Sequence, residues 1–183
     1  MGNKRIAMAA MLCGTSLSWS AGAQADGTVE CNVDIMLGSS VLECGVNAEA
    51  GLNGTAVGTG ATALNTNATA VGNSANAVGE SSTAVGQNSD ATQLEATAYG
   101  WSAQATGVYS TAIGALSTAE ADGATAVGDD AHATGQNSTA LGLLASSSGS
   151  AAVALGGGSD ASADYATAVG TFATASGTNS TAV

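Results

Sequence analysis

The sequence predicts an all-β fold, a parallel β-roll (β-solenoid) of 14-residue, two-strand coils, and three observations carry the prediction. A glycine opens a 14-residue phrase at Gly58, Gly72, Gly86, Gly100, Gly114, Gly128, Gly142, Gly156 and Gly170, with no slip in the spacing. Each phrase contains two short segments in which small and larger residues alternate, the period of a strand. The two segments lie seven residues apart, so turns must join them. A fixed period sustained over this length marks a repeat architecture built coil on coil.

Numbering each phrase from its glycine assigns the faces. Positions 4, 6, 11 and 13 hold Ala or Ser, as in Ala61, Ala63, Ala68 and Ala70 or Ser89, Ala91, Ala96 and Ala98. These residues point into the coil, whose two sheets must then lie closer than the roughly 10 Å usual for packed sheets. Glycine fills position 1 throughout and position 8 at Gly79, Gly107, Gly135, Gly149 and Gly177. Turns there need a positive φ or a close backbone approach.

The outward positions differ between the two sheets. Position 12 is threonine except at Val153, and position 14 reads Val57, Val71, Val85, Tyr99, Ile113, Val127, Leu141, Leu155 and Val169 before Val183. The other sheet shows Asn76, Asp90 with Thr92, Gln104 with Thr106, and His132 with Thr134. One outer face is thus apolar along its length and the other is wet. Full burial of ten valine-sized side chains would contribute roughly 15–30 kcal/mol, and long exposed apolar stripes are uncommon on monomers. The position 14 stripe is therefore the predicted interface of a homo-oligomer around a rotation axis.

Taken from its start, the chain opens with a signal peptide over 1–25. Lys4 and Arg5 precede the apolar run Ile6 to Cys13, and Ala23-Gln24-Ala25 forms an A-x-A cleavage site. No stretch is long enough to span a bilayer as a helix. Residues 26–53 are expected to cap the first coil. They hold Cys31 and Cys44, the cysteines that remain after cleavage. In an exported protein such a pair forms a disulfide, worth on the order of 3 kcal/mol by loop entropy. Val29, Val33, Ile35, Leu37, Val41 and Leu42 around Gly38-Ser39-Ser40 suggest a hairpin that covers the exposed solenoid end. The roll proper is expected over 54–183, about nine coils. Val183 completes a phrase without a cap, so the roll is expected to be incomplete there.

Charge narrows the partners. The chain holds 14 Asp and Glu against two Lys and Arg, both in the leader. Nucleic acid is excluded as a partner, because neutralising phosphates needs cations. The acidity reads as solubility of an exported repeat; the sharper reading is loose binding of divalent cations or basic surfaces. No catalytic constellation, metal site or cofactor motif stands out, and the chain is not expected to be an enzyme. His132 sits at an outward position, and Asp129-Asp130 fills a turn. Gly156-Gly157-Gly158-Ser159-Asp160 resembles a calcium-binding nonapeptide but occurs once, whereas that motif recurs every nine residues. The Asn-x-Thr triplets at Asn53, Asn67, Asn137 and Asn179 follow from the repeat composition.

Phrases such as Gly128-Asp-Asp-Ala-His-Ala-Thr-Gly-Gln-Asn-Ser-Thr-Ala-Leu141 closely resemble the YadA-like head repeats of trimeric autotransporter adhesins, and the resemblance covers Gly54 to Val183. It implies a left-handed roll, a homotrimer, and an adhesin head that binds host matrix, host cell-surface protein or other bacteria. It also implies display on the cell surface and outer membrane if an anchor follows residue 183, and secretion otherwise. The alternative is a secreted ice-binding solenoid, for which Thr55, Thr69, Thr83, Thr97, Thr111, Thr125 and Thr139 would form an array at strand spacing, about 4.8 Å.

A few turns carry large apolar groups. Trp101, Leu116, Leu143, Leu144 and Phe172 lie at positions 2 and 3, along one edge; Val108, Tyr109 and Tyr165 lie at positions 9 and 10, along the opposite edge. Two readings stand for the first group: packing against a neighbouring subunit, or an exposed ridge for a ligand, since aromatic residues are enriched at binding hot spots.

Overall fold

A computed structural model describes residues 31–36 and 39–183. The leader over 1–25, the first residues of the cap and the expected turn residue Gly38 lie outside the described residues. Every regular element among the described residues is a strand. They open with β1 (Cys31–Met36), β2 (Ser39–Cys44), β3 (Glu49–Ala50) and β4 (Thr55–Val57). From there three-residue strands such as Thr69–Val71 alternate with two-residue strands such as Thr62–Ala63.

The long strands form a 12-stranded sheet and the short ones a 10-stranded sheet. Parallel neighbours pair in register one phrase apart, Thr55 with Thr69 and Val57 with Val71, then Tyr99 with Ile113. Each coil therefore adds one strand to each sheet, which makes the molecule a parallel β-solenoid of 14-residue coils.

The ladder does not stop at the strand ends. The N–H of Gly72 donates to the carbonyl of Val57 at 2.7 Å, that of Ser74 to Thr59 at 2.9 Å, and that of Ser81 to Thr66 at 2.9 Å. Turn backbone is thus bonded coil to coil as strand backbone is, which supplies the pairing that buried amides require.

The coil interior is as small as the spacing predicts. Ala61, Ala63, Ala68 and Ala70 are fully buried, and their counterparts repeat along the roll. Where serine replaces alanine, its hydroxyl bonds back to the nearest turn: Ser82 Oγ donates to the Gly79 carbonyl at 2.7 Å and Ser89 Oγ to Gly86 at 2.9 Å. Ser138 Oγ instead donates across the coil to the Ser147 carbonyl at 3.1 Å, and Ser147 Oγ is buried with no hydrogen-bond partner.

Each coil has three left-handed residues, at positions 1, 3 and 10. Glycine takes the first: Gly100 has φ 142°, and an added Cβ would run into the carbonyl oxygen of Gly114 on the next coil. Position 8 differs from the expectation of a positive φ. Gly79 lies outside the left-handed region and is glycine because its Cβ would strike the Gln93 carbonyl. The positive φ belongs instead to positions 3 and 10, mostly without glycine, as at Ser74 (54°), Asn67 (59°) and Asn137 (55°). The Asn-x-Thr triplets are explained by this, since asparagine tolerates the left-handed region.

The roll also begins before residue 54. Gly45 has the φ of a leading glycine, 132°, and Ala48 and Ala50 occupy the buried positions after it. Its coil is one residue shorter than the rest, Gly45 to Gly58 being 13 positions, so a search for strict spacing passes over it. The 10-stranded sheet accordingly contains ten coils rather than nine.

The cap works through two devices. Strand β1 pairs antiparallel with β2 and covers the edge of the 12-stranded sheet, with Cys31 opposite Cys44 and the two joined by a disulfide at a Cα separation of 4.1 Å. Ser39 and Ser40 belong to β2 rather than to the turn. Glu43 serves the other sheet. It pairs with Ala56, so its side chain falls at an interior position, 1% exposed, and its Oε1 accepts the Ala50 N–H at 2.8 Å. Among the described residues β3 is the edge of its sheet, and the carboxylate takes the place of the carbonyl that a further coil would offer.

Two expectations follow for stability. Gly100→Ala should destabilise the roll by about 2–4 kcal/mol, because strain and a backbone clash act together; a chemical-denaturation midpoint unchanged from the parent would contradict the account of position 1. Glu43→Ala should cost about 1–3 kcal/mol by stranding the Ala50 N–H, whereas Ser147→Ala removes an unpaired hydroxyl and should be neutral or stabilising.

Candidate functional site

The outer face of the 12-stranded sheet presents two parallel rows, position 12 beside position 14. Val57, Val71, Val85, Val127 and Val169 are half-buried among their own ladder neighbours, while Tyr99, Ile113, Leu141 and Leu155 project further and are exposed. The roughly 15–30 kcal/mol for complete burial of the stripe is thus an upper bound, since the valines have already lost part of their water within one chain.

Charge is absent from this face. Between Gly58 and Val183 the acidic residues are Glu80, Asp90, Glu95, Glu120, Asp122, Asp129, Asp130, Asp160 and Asp164. All occupy the two edges or the outer positions of the 10-stranded sheet, and none falls at position 12 or 14. Several have local work there: Asp122 Oδ1 accepts the Val108 N–H at 3.0 Å, Asp164 Oδ1 accepts the Ser150 N–H at 2.9 Å, and Asp90 Oδ1 accepts from Asn76 Nδ2 at 2.8 Å. In a chain of formal charge −12 the 12-stranded face is where another acidic surface meets least repulsion.

The edge with positions 2 and 3 carries Trp101, Leu116, Leu143, Leu144 and Phe172, all exposed, Phe172 at 77%. The opposite edge exposes Tyr109 and Tyr165. Sequence reading placed these groups on the edges but missed their backbone. Leu116, Leu144 and Phe172 have φ of 58°, 57° and 60°, and Tyr109 and Tyr165 have 59° and 57°. A large side chain in this region costs about 1–2 kcal/mol. The conformation is held by the ladder: Leu116 N–H donates to the Trp101 carbonyl at 2.8 Å, and Tyr165 N–H to the Ser150 carbonyl at 2.8 Å. Gly158, the last of the run Gly156-Gly157-Gly158, also finds its reason here. A Cβ on Gly158 would lie 2.7 Å from Cδ1 of Phe172, so the glycine leaves room for the ring.

Chemistry beyond binding is sparse. His132 Nε2 lies 3.2 Å from Asp130 Oδ1 in an exposed pair, which contributes little in water. Among the described residues no three His, Cys, Asp or Glu side chains gather as a metal site requires. No helix of the described residues is long and apolar enough to cross a membrane.

A repeat-built roll with one uncharged apolar face and large groups on its edges has the make-up of an adhesin-like module. The chain belongs to the YadA head domain repeat family, whose model matches residues 50–75, 77–103, 105–131, 133–159 and 161–183, each match spanning about two coils. Among solved structures it is similar to the collagen-binding domain of the Yersinia adhesin YadA, with 32% identity over 60% of this chain and 69% of that one and a TM-score of 0.53. No curated protein matches it in sequence.

The strain on the edges is measurable. Leu144→Asn or Tyr165→Asn should raise stability by about 1 kcal/mol by placing a tolerant residue in the left-handed turn. A fall in the thermal midpoint would show instead that the large side chain packs more favourably than its backbone is strained.

Proposed function

We propose that the chain is the head of an exported surface adhesin that works as a homotrimer and holds a host extracellular-matrix or cell-surface protein. The observation that carries this reading is the uncharged apolar face of the 12-stranded sheet in an otherwise acidic, adhesin-type roll. Three copies facing one axis would cover Val57, Val71, Val85, Tyr99, Ile113, Val127, Leu141, Leu155 and Val169 with one another. The wet face and the outer edges then remain outward. Because the YadA neighbour is a collagen-binding domain, collagen is the first ligand to try. Cell-surface display follows if an anchor lies downstream.

The ligand contact belongs to the apolar edge formed by Trp101, Leu116, Leu143, Leu144 and Phe172. With no Lys or Arg after the leader, an anionic partner would be held by neutral hydrogen bonds alone, so apolar contact supplies the affinity. Leu116, Leu144 and Phe172 place exposed apolar side chains at left-handed positions where most other coils have Gly, Asn or Ser, and that choice supports this assignment.

Two experiments test the reading. Val127→Asp with Leu141→Asp places like charges beside the axis and should dissociate the assembly in sedimentation; an unmodified protein that is monomeric at micromolar concentration would remove the trimer. Trp101→Ser with Leu116→Ser should weaken adhesion to immobilised collagen, matrix or cells at least about tenfold, roughly 1.4 kcal/mol, while the trimer persists. Lost oligomerisation would assign the edge to packing, and full retention of both properties would end its role.

A second reading rests on the in-register threonines Thr55, Thr69 and Thr83 on the 12-stranded face. It makes the chain a secreted ice binder and requires thermal hysteresis from a monomer.

A further inference from the structure

The face proposed to join copies of the chain has a difficulty that its regularity creates. Parallel pairing brings Thr55, Thr69 and Thr83 into one row and Val57, Val71 and Val85 into the next, one strand spacing apart, about 4.8 Å. A copy displaced along the roll by one coil meets nearly the same surface: threonine again opposes threonine and valine opposes valine. Uniform faces specify register weakly, so alternative pairings compete. The uncharged rows add no pattern of repulsion to exclude them. Within this face, register comes from residues that break the repeat.

Those residues are few, and one dominates. Beneath the repeats the cap strand β2 already differs, with Leu42 beside Thr55 and Cys44 beside Val57, and from Thr55 onward the departures are Tyr99, Ile113, Leu141, Val153 and Leu155. Four are aliphatic changes of a methyl or two, or a threonine replaced by its near-isostere. Tyr99 is an aromatic ring among valines, 57% exposed, standing between Val85 and Ile113 on a rigid parallel ladder. No other level of the face carries a side chain of that size.

We infer that Tyr99 is the register pin of the self-association proposed above, the residue that sets three copies of the chain level with one another. The inference rests on the trimer reading above. In the level arrangement the three Tyr99 rings meet at one height. Each hydroxyl donates once and accepts once, so three suffice to close a ring of hydrogen bonds. A slip of one coil places a ring opposite Val85 or Ile113, wedging the faces apart at one level and leaving a void at another, which close-packed interfaces tolerate poorly. It also deprives the hydroxyls of their partners. The aliphatic departures from Ile113 to Leu155 reinforce the same register over the following coils.

The test uses the full mature chain in two cysteine-bearing forms, Val71→Cys and Val85→Cys, unfolded, mixed, refolded and mildly oxidised. A disulfide needs Cβ atoms about 3.5–4.5 Å apart, less than the extra coil spacing allows between residues on different levels. Level copies should give links between equal positions only. Adding Tyr99→Val should raise links between position 71 of one chain and position 85 of another at least about tenfold, with sedimentation unchanged. The set Tyr99→Val, Ile113→Val, Leu141→Val, Val153→Thr and Leu155→Val should raise them further. If both variants keep equal-position links alone while still assembling, Tyr99 is not the pin and the inference is overturned. A parent chain that sediments as a monomer overturns the association itself, and the register with it.

Discussion

The narrow coil interior is the constraint on which the rest of this structure depends. Beyond the cap, the two sheets close on each other over alanine and serine alone, and a larger interior side chain there would push them apart through the neighbouring coils. A core of methyl groups contributes little per residue. Cohesion therefore comes from repetition: an unbroken ladder that runs through strands and turns, with serine hydroxyls such as those of Ser82 and Ser89 folded back onto turn carbonyls. The large apolar residues that another fold would place inside have only the outside left to occupy.

That displacement links stability to assembly. In a solenoid each coil contacts only its neighbours, and the ends are the exposed weak points. The N-terminal end is closed by three contributions from one short segment: a strand added antiparallel, a disulfide, and the Glu43 carboxylate that stands in for an absent carbonyl. A buried acid would be costly elsewhere in so small a core. Here it meets an amide that the geometry of the first coil leaves without a strand partner, and the two requirements offset each other.

Charge and strain are distributed by the same logic. Between Gly58 and Val183 the carboxylates sit on the edges and the wet sheet, where several accept amides or side-chain donors of the neighbouring coil. The 12-stranded face is free of them. Large residues in left-handed turns are held by ladder hydrogen bonds on adjacent coils, so the backbone tolerates there what an isolated turn would not. A scaffold that over-determines its turns can vary their side chains freely, which suits a module whose surface meets partners.

Much of this was legible in the sequence. The 14-residue period, the alternation of alanine with larger residues and the constant leading glycine determined two sheets, their parallel register and the identity of inside and outside, because a repeat fixes every coil once it fixes one. The outward stripe from Val57 to Val169 and the edge positions of Trp101 and Phe172 could be read the same way. Other features were decided only by the tertiary structure. Gly45 opens a coil of 13 residues, and a strict period cannot register a deletion. The left-handed turns at Leu116, Leu144 and Tyr165 carry no local signal, since these residues disfavour that conformation and adopt it only because the coils on either side hold their backbone. Glu43 reads as an ordinary strand acid until β3 is folded beneath its carboxylate. Local pattern records what every coil needs; contacts between coils, and the ends where a coil is missing, exist only once the chain has stacked.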